Sequence, residues 1–196
     1  MSQALHDNPP VTIAEFDAFL LAQPDARAWE LVDGQIVGMT NPSTTHEQIV
    51  SNVGVRLKLS ADDRGCQTFF GGMRIQRSDD AGAVDKPRPD ILVRCGPMPG
   101  GTYVTDPIIV VEVLSPSTMD VDRGEKLRFY KRVPTMHHIV LIYQDQMRAE
   151  HYRRADIGWN SSVFTKPEDR LRFEALGIGL LLADAYFGTV LETRTP

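Results

Sequence analysis

Apolar and polar residues follow a helical period in two segments near the start of the chain. The segment TIAEFDAFLLAQP has apolar positions at helical spacing between Thr12, a suitable N-cap, and Pro24 just past the end. The segment NPSTTHEQIVSNVGVRLKLSADDRG places Ile49, Val53 and Leu57 four residues apart. This spacing puts the three side chains on one face, so the pattern predicts a second helix that faces a core.

Other segments have the composition of strands. AWELVDGQIVGM predicts a hairpin that turns at Asp33 and Gly34, CQTFFGGMRIQ is strand-like, and RSDDAGAVDKPR predicts a loop. PDILVRC, IIVVEVLS and HHIVLIYQ are strongly apolar, and IIVVEVLS is typical of a central strand with helices on both faces of its sheet. RAEHYRR, SSVFTK and RLRFEAL predict shorter strands of an antiparallel extension.

A third helix is predicted over STMDVDRGEKLRFYKRV, capped by Ser117 or Thr118 and ended before Pro134. The order of elements predicts an α/β fold with a mixed central β-sheet flanked by helices, preceded by an N-terminal helix and the β-hairpin. We expect one domain over residues 1–196, with residues 1–11 as a flexible N-terminus.

Composition narrows the class of protein. The chain has 196 residues, of which 42% are hydrophobic and 24% charged, and 21 Lys and Arg against 26 Asp and Glu give a net charge of −5. These values indicate an ordinary globular protein and argue against a nucleic-acid coat protein, although a local basic face remains open. We expect a cytoplasmic protein without membrane contact, because the sequence shows neither a signal peptide nor a spanning apolar run. Cys66 and Cys95 lack paired spacing and are predicted to be free thiols in or near the core.

Two acids stand beside apolar strands. Asp90 follows Pro89 at the mouth of PDILV, and Glu112 is the fifth residue of IIVVEVLS. An unpaired carboxylate inside such a strand is costly to desolvate, so a cation should meet Glu112. Two carboxylates from neighbouring strands suit Mg²⁺ or Mn²⁺, which can polarise a phosphodiester and activate a water molecule. The alternatives are a structural pair between Glu112 and an arginine, and a turn role for Asp90.

The ordered motifs WELVDGQIV, HEQIV, RPDILV, VVEVLSPST, RGEKLRFY and HIVLIY resemble the Uma-type family, within the PD-(D/E)XK nuclease superfamily. The resemblance runs from about Glu15 to Tyr152. It implies a restriction-endonuclease-like fold and a metal-dependent DNA endonuclease. It also implies Asp90 and Glu112 as ligands of Mg²⁺ (or Mn²⁺), with the backbone carbonyl of Val113 as a third.

The chain departs from the superfamily pattern at Leu114, where a lysine is usual. The resemblance implies Lys126 as the catalytic cation instead. Lys126 lies four residues after Asp122 on the predicted third helix, so the two share a face, and a lysine stem is long enough to reach the strand ends. The alternatives are a solvated Lys126 and an Asp122 that interacts with the helix dipole or pairs with Lys126.

Four further positions have open interpretations. Glu30 opens the first hairpin strand and is a candidate acid of the site or an exposed strand residue. His46, near the start of the second helix, is a candidate contact for phosphate or water or a surface histidine. Ser115 is expected to begin a turn and cap the helix, and no role is assigned to His137 or His138.

DNA is the expected partner, bound by a homodimer because two copies of one site can cut two strands. Basic candidates for phosphate contact precede Asp90 or lie on the third helix, where most are expected to form only a solvated face: Arg74, Arg77, Lys86, Arg88, Arg123, Arg128, Lys131 and Arg132. One alternative is a non-catalytic DNA-binding or assembly module. Another is a metal-dependent hydrolase of a small phosphorylated molecule, which a cleft too narrow for a duplex would favour.

Overall fold

A computed structural model describes residues 9–39, 41–77, 84–116 and 119–192. The helices are α1 (Ile13–Leu21), α2 (Thr44–Asp62) and α4 (Leu182–Ala185), with α3 between the last two. Helix α3 consists of three consecutive segments, of which the middle one is π-helical: Met119–Val121, Asp122–Lys126 and Leu127–Arg132. The predicted caps of this helix, Ser117 and Thr118, lie outside the described residues.

The main sheet has six strands in the order β10-β9-β8-β7-β5-β3. Within this sheet, as far as the described residues go, β7 and β8 are the one parallel pair, and α3 forms the crossover between them. These strands are β3 (Cys66–Phe70), β5 (Ile91–Cys95), β7 (Pro107–Leu114), β8 (His138–Tyr143), β9 (Ala149–Arg154) and β10 (Trp159–Phe164). Three two-stranded sheets pair β1 (Trp29–Val32) with β2 (Gln35–Gly38), β4 (Arg74–Ile75) with β6 (Tyr103–Val104), and β11 (Arg170–Phe173) with β12 (Ile178–Leu181).

The N-terminal helix and hairpin form as predicted. The Thr12 hydroxyl accepts a hydrogen bond from the Glu15 N–H at 3.3 Å, and the Glu15 carboxylate accepts one from the Thr12 N–H at 2.8 Å. Asp33 and Gly34 have φ of +49° and +70°, the left-handed pair that a tight hairpin turn requires. Val11, the last residue of the segment expected to be a flexible N-terminus, donates its N–H to the Gly34 carbonyl at 2.9 Å. Residues 1–8 lie outside the described ranges.

The mixed sheet is covered on both faces, as the apolar strands predicted. One face packs against Ile49, Val53 and Leu57 of α2. The other packs against α3, including Leu127 and Tyr130. All six residues of β8 are buried, because a central strand between two helical layers has no solvent-facing side.

Cys66 and Cys95 are joined by a disulfide, so the prediction of free thiols is wrong. The two residues are direct partners in the antiparallel register of β3 and β5. Their separation of 29 residues in sequence gives no sign of this pairing, because strand register depends on long-range contacts.

A buried histidine pair lies on the α2 side of the sheet. His138 Nδ1 is 3.1 Å from His151 Nε2, and both rings contact Phe173. Burial lowers the pKa of His138 to about 4 and that of His151 to about 3. Both rings therefore stay neutral in the folded protein over the pH range in which unfolded histidine takes up a proton.

The free energy of unfolding should consequently fall as the pH drops from about 6.5 toward 4, by up to about 1.4 kcal/mol per pH unit for each histidine. The free energy of unfolding falls because the unfolded chain binds more protons than the folded chain in this pH range. Urea unfolding of wild type and His151→Gln between pH 7 and 4 measures the slope, which should be shallower in the variant. His137→Gln is the matched control, since that neighbouring ring is exposed; equal slopes in all three proteins would contradict the expectation.

None of the helices in the described part of the chain is both long and apolar enough to cross a membrane.

Candidate active site

Strand register brings Asp90 and Glu112 to the same point. Ile91 of β5 pairs with Val111 of β7 in antiparallel register, so one further step sets Asp90 opposite Glu112. Residues directly opposite in an antiparallel pair project to the same face, with Cβ atoms about 4.5–5.5 Å apart. Both side chains line one cavity of about 490 Å³, where Asp90 pairs with His46 and Glu112 pairs with Lys126. The predicted arginine alternative for Glu112 is therefore wrong.

Glu112 projects from β7 toward α3. Its strand neighbours Val110 and Leu114 pack into the α3 side of the core, and alternation places Glu112 on that side too. Glu112 Oε1 accepts a hydrogen bond from the Tyr130 hydroxyl at 2.5 Å and lies 2.8 Å from Lys126 Nζ. The carboxylate thus meets the cation that its position in an apolar strand requires.

Lys126 is the charged centre of the site. Its Nζ lies 2.8 Å from Glu112, 3.0 Å from Asp122 and 3.3 Å from Glu30. Its side chain is only 3% exposed, so the solvated alternative is wrong. Burial works against its charge, but the neighbouring acids, Glu112 first, outweigh that effect and raise its pKa well above the usual value. Lys126 is therefore held as an ammonium ion.

The π-helical turn Asp122–Lys126 carries two of these groups. The N–H of Leu127 reaches the carbonyl of Asp122, five residues back, and also that of Gly124. Such widened turns are rare and frequently lie at functional sites. The turn keeps Asp122 and Lys126 in contact, so Asp122 is the partner of Lys126, one of the two roles considered for it.

Leu114 stands at the position where the superfamily usually has lysine. It is buried against the apolar face of α3, where it contributes to the same core cluster as Leu127 and Tyr130. Lys126 approaches Glu112 from the helix instead, at the position expected for it.

Asp90 has different neighbours. Its Oδ2 accepts a hydrogen bond from the Val113 N–H at 2.7 Å and lies 3.3 Å from His46 Nε2. The carbonyls of Ile108 and Leu114 bond toward β8, so by alternation the N–H and C=O of Val113 face the end of β5, where Asp90 lies. This direction suits the ligand role that the resemblance implies for the Val113 carbonyl.

His46 lies in the first turn of α2 and faces the cavity. Burial of the ring disfavours its charged form, but the hydrogen bond and charge of Asp90, aided by Glu47, outweigh this and raise the pKa of His46. Its side chain is 12% exposed, so the surface alternative is wrong.

Glu30 also belongs to this cluster. It is buried on β1, where its Oε2 accepts a hydrogen bond from the Arg88 N–H at 3.0 Å and lies 3.3 Å from Lys126 Nζ. The alternative of an exposed strand acid is wrong. The hairpin thus closes one side of the cavity and brings an acid to it from a different sheet.

The cluster has more acids than cations. Glu30, Asp90, Glu112 and Asp122 line the cavity together with the basic side chains of His46, Arg88 and Lys126. Burial is the largest cause of a pKa of Glu112 well above the usual value; Lys126 opposes it, and Asp122, Asp90 and Glu30 reinforce it. The site therefore favours an additional positive charge, either a proton or a metal ion.

The donor set fits Mg²⁺ or Mn²⁺ as an open site. No group of three or more His, Cys, Asp and Glu side chains in the described ranges is arranged to hold a metal ion by itself. Mg²⁺ commonly takes only one or two carboxylates and keeps several waters. Asp90 and Glu112, with the Val113 carbonyl, would supply such a set of hard oxygen donors.

Two of the predicted phosphate contacts are structural. Arg74 is buried, and its guanidinium donates to the carbonyls of Ala26 and Trp29. The ammonium of Lys86 is buried and pairs with Asp17 at 2.7 Å. Neither side chain is available to bind phosphate, because each contacts residues of the N-terminal elements and links them to the rest of the domain. Arg74 lies in the segment predicted to be strand-like and Lys86 in the predicted loop, and neither position indicated burial.

Tyr130 was missed by the sequence analysis. It is wholly buried and donates to Glu112, and it lies four residues after Lys126, so both side chains project from one face of α3. The helical spacing of Asp122, Lys126 and Tyr130 is the signal that would have revealed it.

A mixed sheet with two acids at adjacent strand ends and a lysine beside them defines a nuclease-like α/β protein. The chain belongs to the Uma2 family, described as "Putative restriction endonuclease", whose pattern it matches over residues 13–184. A crystal structure from Anabaena variabilis, described as "a putative nuclease belonging to DUF820", superposes with a TM-score of 0.73 at 19% identity, covering 90% of this chain and 98% of that one. This likeness supports the fold.

Two cyanobacterial relatives from Synechocystis are similar in sequence. The uncharacterized protein slr1290 is 29% identical over 161 residues, which cover 81% of this chain and 83% of that protein. The uncharacterized protein sll1609 is 29% identical over 130 residues, covering 64% and 71%.

Proposed function

We propose that this protein is a metal-dependent endonuclease that hydrolyses phosphodiester bonds in DNA. The observation that carries the proposal is the convergence of Asp90, Glu112 and Lys126 at one cavity, with Lys126 Nζ 2.8 Å from Glu112. Family membership supports the same activity. Asp90 and Glu112, with the Val113 carbonyl, would hold the Mg²⁺ or Mn²⁺ ion, which when bound polarises the phosphate and lowers the pKa of a water molecule.

The protein side chains have separate tasks. Lys126, held as an ammonium ion by three acids, would stabilise negative charge that develops on the phosphate or would orient the attacking water. Tyr130 holds Glu112 in position through its hydroxyl. His46 is held by Asp90 at the cavity wall, where it can contact phosphate or exchange a proton with water.

The test is cleavage of supercoiled plasmid and of labelled single-stranded and duplex DNA by purified protein. We expect nicking or cutting with Mg²⁺ or Mn²⁺, no cleavage in EDTA, and binding with little cleavage in Ca²⁺. Metal-independent cleavage, or a rate that survives loss of both Asp90 and Glu112, would contradict the proposal. Binding without cleavage under every metal condition would instead favour the non-catalytic DNA-binding module.

The size of the cavity favours a second candidate, hydrolysis of a small phosphodiester. A volume of about 490 Å³ lies within the range of about 300–1,000 Å³ that encloses a small ligand, whereas a duplex would have to lie across the mouth of the cavity. A chromogenic phosphodiester assayed beside DNA separates the two functions. Hydrolysis of the small ester with no action on any DNA would favour this candidate.

A further inference from the structure

Phe70 presents an exposed aromatic ring at the mouth of the cavity. It is the last residue of β3, it is 43% exposed, and it lines the same cavity as Asp90. The next residue, Gly71, donates its N–H to the Asp90 carbonyl at 2.8 Å and has a left-handed φ of +52°. The ring is thus fixed by the backbone immediately beside a proposed metal ligand.

The ring of Phe70 packs directly against Gly54 of α2, which we call the seat of the ring. A Cβ atom at Gly54 would lie 2.0 Å from Phe70 Cε1 and 2.9 Å from Cδ1, distances at which the ring would have to move. Gly54 follows His46 and Val50 at intervals of four residues, and both of those line the cavity. One face of α2 therefore leads from the proposed catalytic centre to the ring.

The cavity lining lacks the net positive charge expected of a duplex-binding surface. Its described residues include more acids than basic side chains, and the basic ones are His46, Arg88 and Lys126. Lys126 is already paired with three acids and His46 with Asp90. Arg74 and Lys86 are buried, where Arg74 donates to the Trp29 carbonyl and Lys86 pairs with Asp17. A duplex keeps its bases stacked and offers mainly phosphates, which need several cations, whereas an unpaired strand also offers the faces of its bases.

We propose that Phe70, seated on Gly54, is a stacking platform for an unpaired nucleobase, and that the substrate is single-stranded or locally unpaired DNA. This inference rests on the proposed nuclease function and names its substrate class. The base would stack on the exposed ring while the adjoining phosphate lies over Asp90 and Glu112. The apolar wall formed by Val37, Met39 and Val50 completes a nucleotide-sized enclosure.

The test is fluorescence anisotropy with the full chain in Ca²⁺ and three probes: a single-stranded oligonucleotide, the same strand with abasic sites, and its duplex. Wild type should bind the intact single strand about tenfold or more tightly than the abasic strand or the duplex. Phe70→Ala should bind intact and abasic strands equally, and Phe70→Trp should keep the preference. Gly54→Ala should lose it although Phe70 remains, because the added methyl group displaces the ring.

Phe187→Ala is the matched control, because this ring is 65% exposed but lies outside the residues that line the cavity. It should retain the wild-type preference, and thermal unfolding should show that every variant is folded. The inference is overturned if Phe70→Ala keeps the wild-type ratio, if the duplex binds more tightly than the single strand, or if no probe binds. Base preference without metal-dependent cleavage would refute the proposed hydrolysis alone; cleavage without base preference would refute only the stacking platform.

Discussion

Replacing Lys126 with Met should slow metal-dependent DNA cleavage by about 10²–10³-fold, the typical effect of removing one group that stabilises transition-state charge. Met keeps most of the length of the side chain but removes the ammonium group. The expected measurement is the single-turnover rate at saturating protein and Mg²⁺, which reports the chemical step apart from binding.

The same substitution should lower stability. Lys126 is buried and contacts Glu30, Glu112 and Asp122, which would lose their shared cation. Removing one partner of a buried ionic cluster typically costs about 3–5 kcal/mol. A solvated Lys126 could be replaced by Ala at little cost in stability, because Ala is the best helix former. Because Lys126 is buried, Lys126→Ala would remove the shared cation and also leave a cavity.

Two further variants keep this prediction testable even if Lys126→Met unfolds. Lys126→Arg preserves the charge and should fold. Its planar guanidinium cannot take the place of the compact ammonium group, so cleavage should slow, while stability should fall less than in Lys126→Met. Arg128→Ala removes a charge from the same helix at a side chain that pairs only with Glu125 in the described residues, and it should cleave normally. Full activity in a folded Lys126→Met would move the search for the catalytic cation to Arg88 or His46, because Arg123 pairs with Glu150 away from the cavity.

Local patterns in the sequence predicted much of the fold. The capping box at Thr12, the left-handed turn at Asp33 and Gly34, and the apolar stripe of α2 each depend on residues close together in the chain. The elements that carry Asp90 and Glu112 were also evident, because an acid within an apolar run is unusual in itself. These features required no knowledge of how distant segments pair.

The remaining features depend on long-range register and burial. Cys66 and Cys95 of the disulfide are direct partners in the register of β3 and β5. His138 and His151 are diagonal neighbours on β8 and β9, because His151 stands opposite Val140. The burial of Lys86 depends on Asp17, 69 residues away in the chain. The π-helical turn is a subtle change in helix geometry, and helical spacing alone predicts an uninterrupted helix there.

Glu112→Gln should abolish most metal-dependent cleavage, because it removes a charged oxygen donor at nearly constant volume. Metal binding should weaken in parallel. Isothermal titration calorimetry with Mn²⁺ measures the loss of metal affinity without relying on cleavage. The Mg²⁺-dependent rise in melting temperature measures it too, because an ion that binds only the folded state stabilises that state more when its affinity is higher. Glu125→Gln is the matched control, because it removes the same charge from α3 outside the cavity.

The metal-free Glu112→Gln protein should nevertheless be more stable than wild type at pH 8. Burial and the acids around it raise the pKa of Glu112 above 4.5 in the folded state. As the pH rises above the unfolded value, the unfolded chain releases this proton while the folded chain retains it, so wild-type stability declines up to the folded pKa. Gln does not titrate, and Lys126 keeps Glu30 and Asp122 as partners. The difference in unfolding free energy between Glu112→Gln and wild type in EDTA should therefore grow as the pH rises above 4.5 toward the folded pKa of Glu112.

The two effects of Glu112→Gln have one cause. Ionisation of the buried Glu112 destabilises the metal-free protein. A divalent cation beside Glu112 would offset the free-energy cost of this ionisation and displace the proton that Glu112 retains. Metal affinity of the wild type should thus increase with pH through the same window in which its metal-free stability decreases. A variant that is less stable than wild type at pH 8, or a wild-type affinity that does not change with pH, would show that Glu112 is held in place as a structural ion pair with Lys126.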